Sequence, residues 1–117
     1  MRRYLNLFIL FFGYISFSYS AVMVDYKELA NECLQLCSEI KQLAGIEYNI
    51  FCTDQLEQIS TQTCNAGIFI NSKEYERAKS RLEEVDGRFD DLDNYNCKTK
   101  ETIHQMHARE KDILSHF

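Results

Sequence analysis

With 117 residues the chain is long enough for one domain and too short for two. It has no proline and four glycines, too few breakers for the many turns of an all-β fold. A formal charge of −5, from 13 basic against 18 acidic side chains, argues against nucleic acid and anionic membrane surfaces as partners.

The N-terminus reads as a secretory leader. Arg2 and Arg3 are followed by an apolar run over residues 5–17, and Ser18, Tyr19 and Ser20 place small residues where a signal peptidase cuts, predicting cleavage before Ala21. The run is shorter than the roughly 20 apolar residues of a membrane span, and no second run follows, so no membrane attachment is expected after cleavage. Residues 21–117 are then one secreted, extracellular domain. Losing Arg2 and Arg3 leaves 11 basic against 18 acidic residues, a net charge of about −7.

All five cysteines, Cys33, Cys37, Cys52, Cys64 and Cys97, fall in that domain. In an oxidising compartment most should be bridged, each bridge contributing roughly 2–4 kcal/mol to a small core. The odd number leaves one thiol over, either buried and free or bridged to another chain, with Cys97 the candidate for such a link. Cys33 and Cys37 share one helix face and should reach different partners. A hairpin turning near Gly45 brings Cys37 towards Cys52 and Cys33 towards Cys64, both with an axial offset. Cys52–Cys97 is the alternative.

Taken in order, residues 25–44 carry Tyr26, Leu29, Ala30, Cys33, Leu36, Cys37, Ile40 and Leu43 at steps of three and four, the stripe of an amphipathic helix. Gly45 supplies its stop. A second helix, over 49–65, places Cys52, Leu56, Ile59 and Thr63 on one face and is ended by Asn65-Ala66-Gly67. Ile68-Phe69-Ile70 follows as an apolar connector. Ser72, with Glu74 and Glu76 in the next turn, is the expected N-cap of what comes after.

From there a heptad seam runs to the C-terminus through Tyr75, Ala78, Leu82, Val85, Phe89, Leu92, Asn96, Thr99, Ile103, Met106, Glu110, Ile113 and Phe117. Elsewhere in the segment only Tyr95, Cys97, Ala108 and Leu114 are apolar. Two architectures satisfy this seam. An unbroken helix would need a second chain to cover its C-terminal half. Glu74–Lys79, Arg81–Asp86 and Arg88–Asp93 have the spacing of pairs that cross a parallel dimer, and Asn96 suits a register-fixing seam position. A break within residues 93–97, which form helices poorly and turn readily, would instead give four helices of similar length in an up-down-up-down bundle, with Cys97 at the same end as Cys52. Similar lengths and local cover favour the bundle. The fold class is all-α: a small disulfide-braced helical bundle of four helices, or of three with a long C-terminal coiled-coil helix.

Chemistry-bearing patterns are sparse. Glu101, His104, His107 and Glu110 recur at steps of three, which drift around a helix and cannot all reach one ion. They read as a solvated polar face, with no metal site. The Cys33–Cys37 spacing has no second half for a zinc site. There is no nucleophile elbow, phosphate loop or EF-hand, and the adjacent acids Glu83-Glu84 and Asp90-Asp91 diverge on a helix. No catalysis and no cofactor are expected. The expected function is binding of another protein by a secreted helical molecule of effector, toxin-like or signalling type. The alternatives are a carrier holding a small apolar ligand between its helices, for which the many aromatic residues could line a cavity, and a structural homodimer built on the seam.

Overall fold

The computed structural model describes residues 24–117, so the leader over residues 1–20 lies outside the described residues. Four α-helices account for most of that span, with no strand among the described residues: α1 Tyr26–Ala44, α2 Ile50–Asn71, α3 Tyr75–Leu92 and α4 Lys100–Leu114. Each packs on its neighbours in the chain, and α4 closes back onto α1. This is a four-helix bundle of up-down-up-down form with short connections. No described helix is long and apolar enough to cross a membrane.

Helix α1 starts where the Asp25 carboxylate accepts from the Glu28 backbone N–H at 3.2 Å. Its stripe of Leu29, Ala30, Cys33, Leu36, Cys37, Ile40, Leu43 and Ala44 is buried throughout. Burying a Leu or Ile of this kind contributes about 1.5–3 kcal/mol. The helix ends at Gly45, as its sequence suggests.

Helix α2 does not end at Gly67. It runs on to Asn71 and absorbs Ile68-Phe69-Ile70, which is therefore helix and not a connector. Ala66, Gly67 and Ile70 continue the buried face begun by Cys52, Leu56, Ile59 and Thr63. Gly67 serves close approach: a β-carbon there would lie 3.0 Å from the Leu34 side chain and 3.1 Å from the Ala30 carbonyl oxygen. The buried hydroxyls on this helix are satisfied, Ser60 donating to the Cys37 carbonyl at 2.8 Å and Thr63 to that of Ile59 at 2.7 Å.

The true stop is a Schellman turn. Lys73 takes the left-handed conformation (φ 62°), and the Lys73 and Glu74 N–H groups donate to the carbonyls of Ile70 and Phe69 at 3.0 and 2.8 Å. Ser72 thus caps the C-terminus of α2. It does not begin the next helix, which starts after Glu74 without a side-chain cap.

The seam is interrupted over residues 93–99, and Asn96 is exposed. Leu82, Val85, Phe89, Leu92, Ile103, Met106 and Ile113 all join the single core, and Tyr75 stacks on Tyr26 with ring centroids 4.2 Å apart. Their cover comes from the same chain, so the four-helix form holds and the single long C-terminal helix does not occur. Most of the charges expected to cross a dimer have other partners. Arg81 and Arg88 bond Glu84 at 3.3 and 3.4 Å, Asp86 faces His107, and Asp93 faces His104.

Two bridges form, Cys37–Cys64 and Cys52–Cys97, with Cα atoms 5.3 and 5.8 Å apart. Neither pairing of the simple hairpin occurs. Non-helical residues 45–49 advance farther per residue than helix does, so α2 begins beyond the end of α1 and every level shifts. Cys64 comes opposite Cys37, Gly67 opposite Leu34, and Cys52 is carried past α1 to the loop holding Cys97. The unpaired thiol is Cys33, fully buried between helices, so Cys97 has no bond to offer another chain.

Candidate functional site

The α1–α2 loop and the α3–α4 loop meet at one end of the bundle, and three kinds of bond fix them there. The Cys52–Cys97 disulfide joins the first turn of α2 to the second loop. Glu47 reaches across from the first loop: Oε2 accepts from the Lys98 N–H at 3.0 Å and Oε1 from the Thr99 N–H at 3.1 Å. Helix α4 has no side-chain cap of its own, and this carboxylate, bound to the two N–H groups just before it, stands near the positive end of its dipole. Asn49 then caps α2, its Oδ1 accepting from the Phe51 N–H at 2.9 Å.

The first loop and the start of α2 present large apolar side chains to solvent at this end. Ile46, Tyr48, Ile50 and Phe51 are 54%, 83%, 69% and 60% exposed, in a run of six residues. Phe51 stacks on Tyr95 of the second loop at 5.6 Å between ring centroids, with planes 9° apart. Lys98 lies over the Tyr48 ring, Nζ 4.2 Å from its centroid, and donates to the Tyr48 hydroxyl at 3.0 Å. A soluble protein rarely displays large apolar side chains so close together without use for them. Sequence reading passed over this tip because Tyr48 and Phe51 count as core material by composition, and periodicity says nothing about a loop.

Elsewhere two open depressions line the bundle. A cleft of about 480 Å³ between α1 and α4 is lined by Glu32, Gln35, Arg109 and Asp112 beside Ala108 and Ile113. Another of about 410 Å³ lies along the Cys37–Cys64 bridge, among Lys41, Glu57, Ser60, Thr61 and Asn65.

The polar run on α4 divides. Glu101 and His104 are exposed, His104 Nε2 standing 3.1 Å from Asp93. His107 and Glu110 turn inward, so they are no solvated face. His107 Nε2 lies 2.6 Å from Asp86 Oδ1, with its ring stacked on Phe89 at 4.8 Å, and Glu110 is wholly buried. Burial, reinforced by the Asp86 charge, pushes the Glu110 carboxyl up to about 8. Burial likewise pushes the Cys33 thiol up to about 12, which leaves it protonated and unreactive. A cluster of Glu47, Cys52 and Cys97 at the tip has both sulfurs in the disulfide and so cannot ligate.

Comparison with known proteins finds no matching protein-family model, no similar curated protein and no similar solved structure.

Proposed function

We infer that the protein is a secreted binding protein whose tip, formed by Ile46, Tyr48, Ile50 and Phe51 with Lys98 beside them, docks into an apolar depression on another protein. One observation carries this reading: large apolar side chains stand exposed on a segment that a disulfide, a buried glutamate and a helix cap hold still. Rigid aromatic anchors supply much of the affinity at protein interfaces, and fixing them beforehand removes the ordering cost of binding. Tyr48, Phe51 and a cation over an aromatic face are the groups such interfaces favour. The partner's rim would place an acidic group against Lys98. Two intrachain bridges and the N-terminal leader pattern support extracellular residence. The net negative charge disfavours an anionic bilayer as the surface that receives the tip.

Photo-crosslinking tests this. A photoreactive amino acid at position 46, with a control at the distant position 76, is exposed to extracellular proteins of the source organism. A discrete adduct is expected from position 46 alone. Excess wild-type protein should suppress it, and Ile50→Asp/Phe51→Asp protein should not. The same adducts from both positions, or none that wild-type protein suppresses, would overturn the reading.

A further inference from the structure

The inward half of the polar run on α4 poses a separate problem. Glu110 has 0% relative exposure, and neither carboxylate oxygen has a hydrogen-bond partner among the described residues. A carboxyl in that state ionises only beside a compensating charge or ion. No cationic side chain is paired with it among the described residues. Instead it meets Asp86 of α3 and His107 of its own helix, and one ligand-capable atom from each of the three lies within 4.8 Å of the others.

We propose that Asp86, His107 and Glu110 hold a divalent first-row transition ion, with Zn2+ as its reference probe, and that the ion staples α4 to α3. The donor set narrows the class. One imidazole with two carboxylates suits zinc and its neighbours, whereas calcium takes six to eight oxygens and magnesium rarely accepts nitrogen. The spacing is near what is needed. Bonds of roughly 2.0–2.2 Å in a tetrahedral site set ligand atoms about 3.3–3.5 Å apart. The 2.6 Å His107–Asp86 contact must therefore open slightly and Glu110 swing inward, both by side-chain rotation. The ion would replace the His107–Asp86 hydrogen bond, with His107 ligating through Nε2 and keeping its proton on Nδ1. His107 and Asp86 have side chains 14% and 29% exposed, so the ion enters past them while Glu110 forms the floor. A fourth position on the open side is left for water. The staple has a structural purpose too. Both disulfides lie outside α4, whose core packing through Ile103, Met106 and Ile113 is joined by the Glu47 carboxylate just before its start and a 2.7 Å ion pair between Arg109 and Glu39 of α1.

The test is titration of the intact, oxidised, chelator-treated protein with Zn2+, followed by calorimetry and by imidazole nitrogen–proton correlation spectra. One ion should bind per chain and shift the ring resonances of His107, leaving those of His104 and His116 in place. Glu110→Gln, which keeps the shape and removes the charge, should weaken binding by at least about 100-fold, since even outer-shell losses cost roughly 10–100-fold. His104→Gln should change nothing. Absence of saturable binding would overturn the proposal, leaving a neutral buried carboxyl. So would binding that survives Glu110→Gln or moves the His104 resonances, because the ion would then sit on the surface. Should Glu110→Gln fail to fold, the wild-type spectra decide alone.

Discussion

At the scale of the residue, Glu47 does more than its place in a five-residue loop suggests. Glu47 is almost wholly buried and its carboxylate accepts the two N–H groups just before α4, so one side chain joins two loops beside a helix start. Glu47→Ala leaves both donors without that partner and removes the charge that faces the helix dipole. A loss of about 1–3 kcal/mol is expected from urea unfolding. Amide exchange should quicken at residues 46–51 and 98–100, and unchanged exchange there would show that the disulfide alone fixes the tip. Glu110 is the other residue whose setting decides its chemistry. It occupies a seam position, so burial was legible in the register, as was its membership of the one cluster of metal-capable side chains. Those two readings conflict only if the polar run is treated as a single face. Steps of three drift inward along α4, and that drift takes Glu101 and His104 to solvent but His107 and Glu110 to the core.

At the scale of the element, two glycines in helices make opposite predictions. At Gly67 a β-carbon would press on the Ala30 carbonyl, which is backbone and cannot turn away, so α1 and α2 would have to separate. The helix-propensity gain of Ala, about 1 kcal/mol, is outweighed by overpacking of roughly 1–3 kcal/mol. Gly67→Ala should therefore destabilise by about 1 kcal/mol. Gly87 on α3 is exposed and a β-carbon there meets nothing within 4 Å, so Gly87→Ala should stabilise by about the full propensity difference, also about 1 kcal/mol. Thermal melts of the two variants should move in opposite directions. The stripes of α1 and of the seam were readable because a 3.6-residue period survives any tertiary arrangement, and the weak helix formers at 93–97 located the break. The end of α2 was not readable. Gly67 signals a stop and a close approach equally well, while the actual stop rests on Lys73, a residue type that carries no turn signal. The cysteine pairing failed for a related reason: it depends on the rise of residues 45–49, and composition does not report how steeply a loop climbs.

At the scale of the molecule, the two bridges act on different things. Cys37–Cys64 closes 27 residues and locks α1 to α2, whereas Cys52–Cys97 closes 45 and ties the tip together. Loop-closure entropy gives about 3.6 and about 4 kcal/mol as upper estimates. Replacing Cys52 and Cys97 together by Ala should therefore cost up to about 4 kcal/mol in chemical unfolding and also reduce binding to a tip-dependent partner. The Cys37/Cys64 counterpart should lose comparable stability and keep the tip-dependent interaction. Equal loss of binding in both would mean that the tip depends on the whole bundle and not on its own pin.

The account rests on a self-contained bundle whose own disulfide pins the tip, and proteolysis under non-reducing conditions, with mass spectrometry of thiol-alkylated protein, tests that most directly. The expected result is a monomer in which the segment containing Cys52 is linked to that containing Cys97 and the segment containing Cys37 to that containing Cys64. Cys33 should take up alkylating reagent only after unfolding, since its thiol is buried and held protonated. A reducible dimer, or any link that leaves Cys97 unpaired with Cys52, would contradict the account, because the apolar tip would then have no fixed frame to present it.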